Sequence, residues 1–209
     1  MRICAWMMLL LLSRVAGAES LEATIKQYQA IVDAPGALRS DETVLRLIVL
    51  LLKAHQEPRA RPYLERLATP QSRYLPDALV LYGDHLFEAG EPKAAQRLYE
   101  RVTSGTNTKL GAYARYKRAW CAFNLGNFKD ALSLFVKVAV EAGDPPVVNA
   151  ARGDAVRALA RTDLGPDRAR DVLRQLGSDD KLVDQLAAEY HATGRLADCR
   201  ALATGNPCD

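Results

Sequence analysis

The segment Tyr116–Phe135, "YKRAWCAFNLGNFKDALSLF", has the pattern of two helices joined by a glycine turn. Within it, Ala119, Gly126, Ala131 and Phe135 follow one another at intervals of 7, 5 and 4 residues. Glycine takes the left-handed conformation without strain, so the first helix is predicted to end near Gly126. Residues four apart share one face of a helix, which favours Ala131 and Phe135 as core of the hairpin. The segment therefore predicts a helical hairpin.

The same intervals recur elsewhere in the chain. One copy consists of Gly83, Gly90, Ala95 and Tyr99, and another of Ala187, Gly194, Cys199 and Ala203. Similar blocks also begin at Glu57 and Glu91, 34 residues apart, and a weaker copy ends at Leu176. A single hairpin of this size cannot bury its apolar face alone, so such repeats stack on one another. We predict a lead helix and five hairpins, with eleven helices and no strand, at 21–33, 40–68, 74–104, 108–142, 146–177 and 179–204.

These blocks resemble the tetratricopeptide repeat family in repeat length, small-residue positions, glycine turn and aromatic positions. The resemblance covers residues 40–204 and is strongest over Tyr74–Glu141. It departs from the family pattern at Leu79, where the family has Trp, and in block 145–177, which is degenerate. The inter-repeat proline of the family is missing or displaced. The resemblance implies an all-α solenoid, wound as a right-handed superhelix with a concave groove.

In this family the first helix of each hairpin lines the concave groove, which here implies the helix at 108–125. Its candidate partner-binding residues form one stripe with a flanking lysine: Tyr113, Tyr116, Lys117, Trp120 and Asn124. Aromatic rings with polar tips suit an extended peptide or a partner helix. The alternative is that the stripe only packs on the preceding hairpin, and Phe123 is expected in the core in either case. The carboxylate clamp of some relatives is not expected, because Tyr116 and Trp120 occupy two of its positions.

Residues 1–18 have the pattern of a secretory signal peptide. Arg2 supplies the positive charge, Ile3–Leu12 is an apolar run too short to span a bilayer, and Ala16-Gly17-Ala18 fits the small-residue cleavage pattern. We expect cleavage after Ala18, which leaves residues 19–209 as one repeat domain; an uncleaved anchor is the alternative. Export combined with such repeats favours the periplasm and resembles the Tol-associated and outer-membrane-assembly members of the family.

Composition and motifs give no indication of nucleic-acid binding or catalysis. Without residues 1–18 the chain keeps 26 of its 28 basic residues against 25 acidic ones, a net charge near +1. His55, His85 and His191 lie far apart in the sequence, each inside a predicted helix, and no catalytic or metal-binding motif occurs. We therefore expect no enzyme, cofactor or metal. The hypothesis is a non-catalytic scaffold or adaptor that binds another cell-envelope protein through the groove. The alternative is a structural subunit of an outer-membrane assembly, secretion or motility complex.

Three cysteines remain after the expected cleavage: Cys121, Cys199 and Cys208. Gly205 and Pro207 favour a chain reversal between the last two, and Cys199 occupies a position where other repeats have a small buried residue. We predict a disulfide between Cys199 and Cys208 and a buried free thiol at Cys121. The alternative is that Cys199 is a buried small side chain and Cys208 a free thiol.

The predicted disulfide closes a loop of about ten residues, worth roughly 2–3 kcal/mol in the chain-entropy model before strain is subtracted. Thiol titration of denatured, unreduced protein measures it directly. One free thiol per mature chain is the expected result. Three free thiols would rule the pairing out.

Overall fold

The computed structural model describes residues 20–34, 40–69, 72–102, 109–177, 180–202 and 208. Their regular structure is entirely helical, with eleven α-helices and no strand in these ranges, as predicted. Helix α1 covers 20–33. The others are α2 (Asp41–Lys53), α3 (Glu57–Leu67), α4 (Leu75–Glu88), α5 (Pro92–Arg101), α6 (Lys109–Asn124), α7 (Phe128–Glu141), α8 (Pro145–Ala160), α9 (Pro166–Gln175), α10 (Asp180–Ala192) and α11 (Leu196–Leu202).

Each predicted hairpin contains two helices, in the order α2/α3, α4/α5, α6/α7, α8/α9 and α10/α11. The fourth hairpin begins at Pro145, one residue before its predicted start. The predicted signal peptide and its cleavage site lie outside the described residues. None of the described helices combines the length and apolar character that a membrane crossing requires. The chain divides into two compact units, Met1–Tyr82 and Gly83–Asp209.

The first unit is built around the apolar run of α2. Leu47, Ile48 and Leu51 are completely buried. Glu22, Gln29 and Asp33 of α1 form hydrogen bonds with side chains of α3. The Tyr63 hydroxyl donates to Asp33 at 2.8 Å, and Arg66 binds the same carboxylate at 2.7 Å. These contacts join residues about 30 positions apart, as expected when one repeat packs on the next.

The second unit has one continuous apolar core. Consecutive helices α6, α7 and α8 pack against one another, and α10 packs on α8. The fully buried large side chains of this core include Phe135, Leu159, Leu186 and Tyr190. The small residues that the repeat intervals single out are also buried, namely Ala95, Ala119, Ala131, Ala187 and Cys199. Their burial confirms the predicted hairpin interiors.

A close helix contact explains why a small residue is needed on the first helix of a hairpin. A Cβ added at Gly83 of α4 would lie 2.8 Å from Cε1 of Tyr99 on α5, closer than real Cβ contacts come. Tyr99 is 2 % exposed, so its ring has no open space to move into. The glycine therefore lets the ring pack directly against the α4 backbone.

Four of the five hairpins share one turn geometry. After α6, Gly126 has a φ of +77°, its N–H donates to the Phe123 carbonyl at 3.0 Å, and the Asn127 N–H donates to the Ala122 carbonyl at 2.9 Å. This is the Schellman pattern of a helix end. Gly90 and Gly194 repeat it, with φ values of +80° and +74°. The prediction of left-handed glycines at these turns is confirmed.

The first hairpin makes the same turn without glycine. His55 occupies the left-handed position with a φ of +53°, and its turn has the same two hydrogen bonds. The prediction that His55 lies inside a helix is therefore wrong, because α2 ends at Lys53. His55 is the only non-glycine residue with positive φ in the described ranges. The sequence pattern did not predict the end of α2, because this left-handed position is normally taken by glycine.

The turn of the degenerate fourth hairpin is different. No described residue between α8 and α9 has a positive φ; instead the Arg195 guanidinium of the next hairpin reaches this turn. It donates to the carbonyl oxygens of Thr162 at 2.6 Å, Leu164 at 2.9 Å and Ala160 at 3.3 Å. Asp198 accepts from its Nε at 2.7 Å. The side chain thus adds bonds from the neighbouring repeat to the local hydrogen bonds of this turn.

The structure joins Cys199 to Cys208 by a disulfide whose Cα atoms are 5.9 Å apart. Cys199 is completely buried, and its Sγ lies 3.2 Å from the Ala187 carbonyl oxygen on α10, so it faces the partner helix as expected. Whether the bond forms in the cell stays a prediction.

We predict that Gly126→Ala lowers the free energy of unfolding by about 1–2 kcal/mol, the cost of a left-handed L-residue. The cause is the backbone alone, because a Cβ at Gly126 meets nothing within 4 Å. Gly143→Ala is the matched control, since its Cβ is equally unobstructed and its φ is not positive. Urea unfolding of both variants measures the effect. Equal losses would contradict the left-handed requirement.

Candidate functional site

The five predicted groove residues line one open cleft. Its volume is about 480 Å³, and its lining consists of Phe87, Tyr113, Tyr116, Lys117, Trp120 and Asn124. Five of these side chains come from α6, whose stripe the 3.6-residue period of a helix produces. Phe87 comes from the last turn of α4. The structure therefore brings the candidates together on one surface of the second unit.

On one side of the cleft, a carboxylate of α4 anchors three side chains. Asp84 accepts from the Tyr99 hydroxyl at 2.6 Å and from the Tyr113 hydroxyl at 3.0 Å. The ammonium group of Lys117 lies 3.3 Å from the same carboxylate and 4.2 Å from the centre of the Phe87 ring. Ion pairing and a cation–π contact thus hold Lys117 against α4.

Both tyrosines stay protonated donors in this arrangement. Burial is the main cause of the raised pKa of Tyr99, and its hydrogen bond to Asp84 adds to it. Burial also raises the pKa of Tyr113, and the charge of Asp84 acts in the same direction. A phenolate next to a carboxylate would remove a hydrogen bond and add repulsion. Both hydroxyl groups therefore stay hydrogen-bond donors in the physiological pH range.

On the other side of the cleft, Tyr116 bonds to α8. Its hydroxyl donates to Asp154 at 2.7 Å. Burial is the main cause of the raised pKa of Tyr116, and this hydrogen bond adds to it. Arg157 binds the other oxygen of Asp154 at 3.2 Å and lies 3.8 Å from Glu189 of α10. First helices of successive hairpins are thus connected by polar contacts, from α6 through α8 to α10.

Two rings that line the cleft, Trp120 and Tyr116, belong to a set of edge-to-face aromatic contacts. The Trp120 ring centre lies 5.6 Å from that of Phe135 and 5.3 Å from that of Phe123, and the Tyr116 ring lies 5.8 Å from Phe135. Phe123 in turn contacts Phe128 at 5.2 Å. Such pairs add to the stability that burial gives. Phe123 packs against the core, as expected.

Both alternatives for the stripe describe part of what is observed. Tyr113 and Lys117 bind Asp84 of the preceding hairpin, as the packing alternative requires, whereas Tyr116 binds Asp154 of the next hairpin. The same side chains border the open cleft, as the groove hypothesis requires. Trp120 is half-buried there, and Asn124 is exposed at its edge. Partner binding at this surface stays a prediction.

Cys121 of α6 is a buried thiol without a disulfide. Burial raises its pKa to about 12, partly offset by the nearby charge of Lys117. A thiol that stays protonated is a poor nucleophile, so Cys121 has the character of a core side chain.

Comparison with known proteins agrees with this architecture. Residues 113–141 match the sequence profile of the tetratricopeptide repeat. The match contains all five predicted groove residues and supports the resemblance to that family. Searches of curated proteins and of solved structures returned no match. Repeats of this type are typically non-catalytic scaffolds that bind other proteins.

The sequence analysis did not name Phe87, which lines the cleft, or Asp84 and Asp154, which bind its side chains. The spacing from the turn glycine could have indicated the first two. Phe87 and Asp84 precede Gly90 by 3 and 6 residues, and Phe123 precedes Gly126 by the same 3. Asp154 lies in the degenerate hairpin, where no left-handed glycine fixes the register.

We predict that Lys117→Met lowers the free energy of unfolding by about 1–3 kcal/mol, because Asp84 loses a charged partner in a half-buried place. Lys129→Met is the matched control, since both members of the Lys129–Asp163 pair are more than 70 % exposed. That substitution should cost less than about 0.5 kcal/mol. Chemical unfolding compares them. A smaller effect for Lys117 than for Lys129 would contradict the network.

Proposed function

We propose that this protein is a non-catalytic periplasmic scaffold or adaptor that binds another cell-envelope protein through the cleft of α4 and α6. The observation that carries the proposal is the composition of that cleft. Four aromatic rings border about 480 Å³ of open space, and one exposed amide stands at the edge. A surface of this kind suits an apolar peptide segment or the apolar face of a helix.

The charges of the cleft indicate which partner fits. Asp84 and Lys117 neutralise each other within the wall, and both tyrosine hydroxyls are already bonded. Recognition therefore depends on the ring faces and on Asn124 rather than on an ion pair. We expect a partner segment that inserts an aliphatic or aromatic side chain and whose affinity changes little with salt concentration.

The periplasmic assignment depends on residues 1–18. The charged, apolar and small-residue regions of that segment have the order of a secretory signal. Mass spectrometry of the protein from a periplasmic fraction tests it. The proposal requires a periplasmic chain that begins at Glu19. A chain that stays in the cytoplasm and still carries residues 1–18 would contradict it.

We predict that a photo-crosslinking residue in place of Asn124 captures an envelope protein in living cells. Asn124 is exposed, so this substitution leaves the fold intact. The same residue in place of Val140, which is 60 % exposed and lies outside the cleft, is the matched control. The captured protein is identified by mass spectrometry, and its purified form is then titrated against the unmodified chain.

Trp120→Ala provides the quantitative test with the identified partner. Removal of a central aromatic side chain typically weakens binding about 10- to 100-fold, provided that circular dichroism shows an unchanged helix content. Val140→Ala should leave the affinity unchanged. Equal capture from positions 124 and 140, or full affinity after loss of Trp120, would overturn the cleft as the binding site.

A further inference from the structure

Helix α2 of the first unit has an outer face with an apolar centre between two charged ends. Its inner face carries the buried residues Leu47, Ile48 and Leu51. On the opposite side, residues at alternating intervals of 3 and 1 share one stripe of the helix, which we call the α2 stripe: Glu42, Leu45, Arg46, Val49, Leu50 and Lys53. The three aliphatic members are half-buried, whereas the side chains of Glu42 and Arg46 are 48 % and 60 % exposed.

A groove between α1 and α2 adjoins this stripe. Its volume is about 300 Å³, and its lining consists of Thr24, Tyr28, Leu45, Arg46, Val49 and Leu50. Arg46 hydrogen-bonds with Tyr28 and pairs with Glu42 at 2.6 Å, so its charge is matched within the chain. Ile31 of α1 adds a side chain that is 57 % exposed. Apolar side chains grouped on an outer surface are typical of a place where another protein surface packs.

The two ends of the α2 stripe have opposite charge. Asp41 and Glu42 lie in the first turn of the helix and Lys53 in the last. Lys53 is exposed and has no ion pair within the described ranges. Glu42 and Lys53 lie at equal distances from the centre of the helix. An antiparallel copy of the same helix therefore presents a base to each acid and an acid to each base.

We propose that α2 packs antiparallel against α2 of a second copy of this chain, across a two-fold axis between residues 47 and 48. This axis brings Glu42 opposite Lys53 of the second copy, and symmetry repeats the pair at the other end. The same axis brings position 45 opposite 50, which sets leucine against leucine. A parallel pair of helices would instead set Glu42 against Glu42.

The size of this surface indicates a reversible dimer. Thirteen residues of helix are about 20 Å long, so the contact is small compared with that of a permanent complex. The ion pairs at the two ends set the direction of packing, and the leucines exclude water from the centre. The dimer leaves the cleft of the second unit unused, and the inference therefore goes beyond the proposed function and does not depend on it.

Sedimentation equilibrium tests the proposal on the chain from Glu19 onward, which keeps every described residue. The mass should rise from one chain to two with concentration. Lys53→Glu and Glu42→Lys should each weaken the dimer at least about 10-fold, because like charges then face each other at both ends. Mixed in equal amounts, the two variants should associate with each other. Arg61→Glu is the matched control, since Arg61 of α3 is exposed and has no ion pair within the described ranges.

A photo-crosslinking residue in place of Leu50 tests the direction of packing without any change of charge. In an antiparallel dimer it should form a link near position 45 of the second copy, which mass spectrometry locates.

Three results would overturn the proposal. A monomer at every concentration would exclude the dimer. A dimer that survives both charge reversals would use another surface. A link from position 50 to another part of the same chain would show that the chain itself covers the stripe.

Discussion

The close approach of two helices at a small residue is the constraint on which the second unit depends. At Gly83 there is no room for a Cβ, because the Tyr99 ring lies where one would be. That approach places the Tyr99 hydroxyl on Asp84, and the same carboxylate then receives Tyr113 and Lys117 of α6. The close packing of α4 and α5 thus sets the position of Asp84, which binds α6 of the next hairpin. The cleft lies between α4 and α6.

The helices and their order could be predicted from sequence because three residues per hairpin carry a strict physical requirement. A small residue must allow close packing, a left-handed residue must end the first helix, and a large one must fill the core. Where a requirement is met in another way, the sequence did not show how: His55 takes the left-handed position without being glycine, and Arg195 supports a turn from 31 or more residues away. Such distant substitutes leave no local pattern.

For the candidate site, the stripe on α6 was predictable and its partners were not. A helical period identifies which side chains share a face, and all five predicted residues border one cleft. It does not say which polar atoms a neighbouring helix has already bound. The bonds from Tyr116 to Asp154 and from Lys117 to Asp84 leave ring faces and an amide for recognition. We therefore expect a partner segment to present apolar side chains to this cleft.

The bonds of Arg195 have a consequence for how the C-terminal part of the chain folds. Arg195 of the fifth hairpin donates to three carbonyl oxygens of the fourth, those of Ala160, Thr162 and Leu164. Asp198 and the Tyr190 ring, both in the fifth hairpin, hold the guanidinium in place. Neither hairpin is complete until the other is in place. We therefore expect α8 to α11 to open and close as a single cooperative unit, although repeat arrays in general can unravel one repeat at a time.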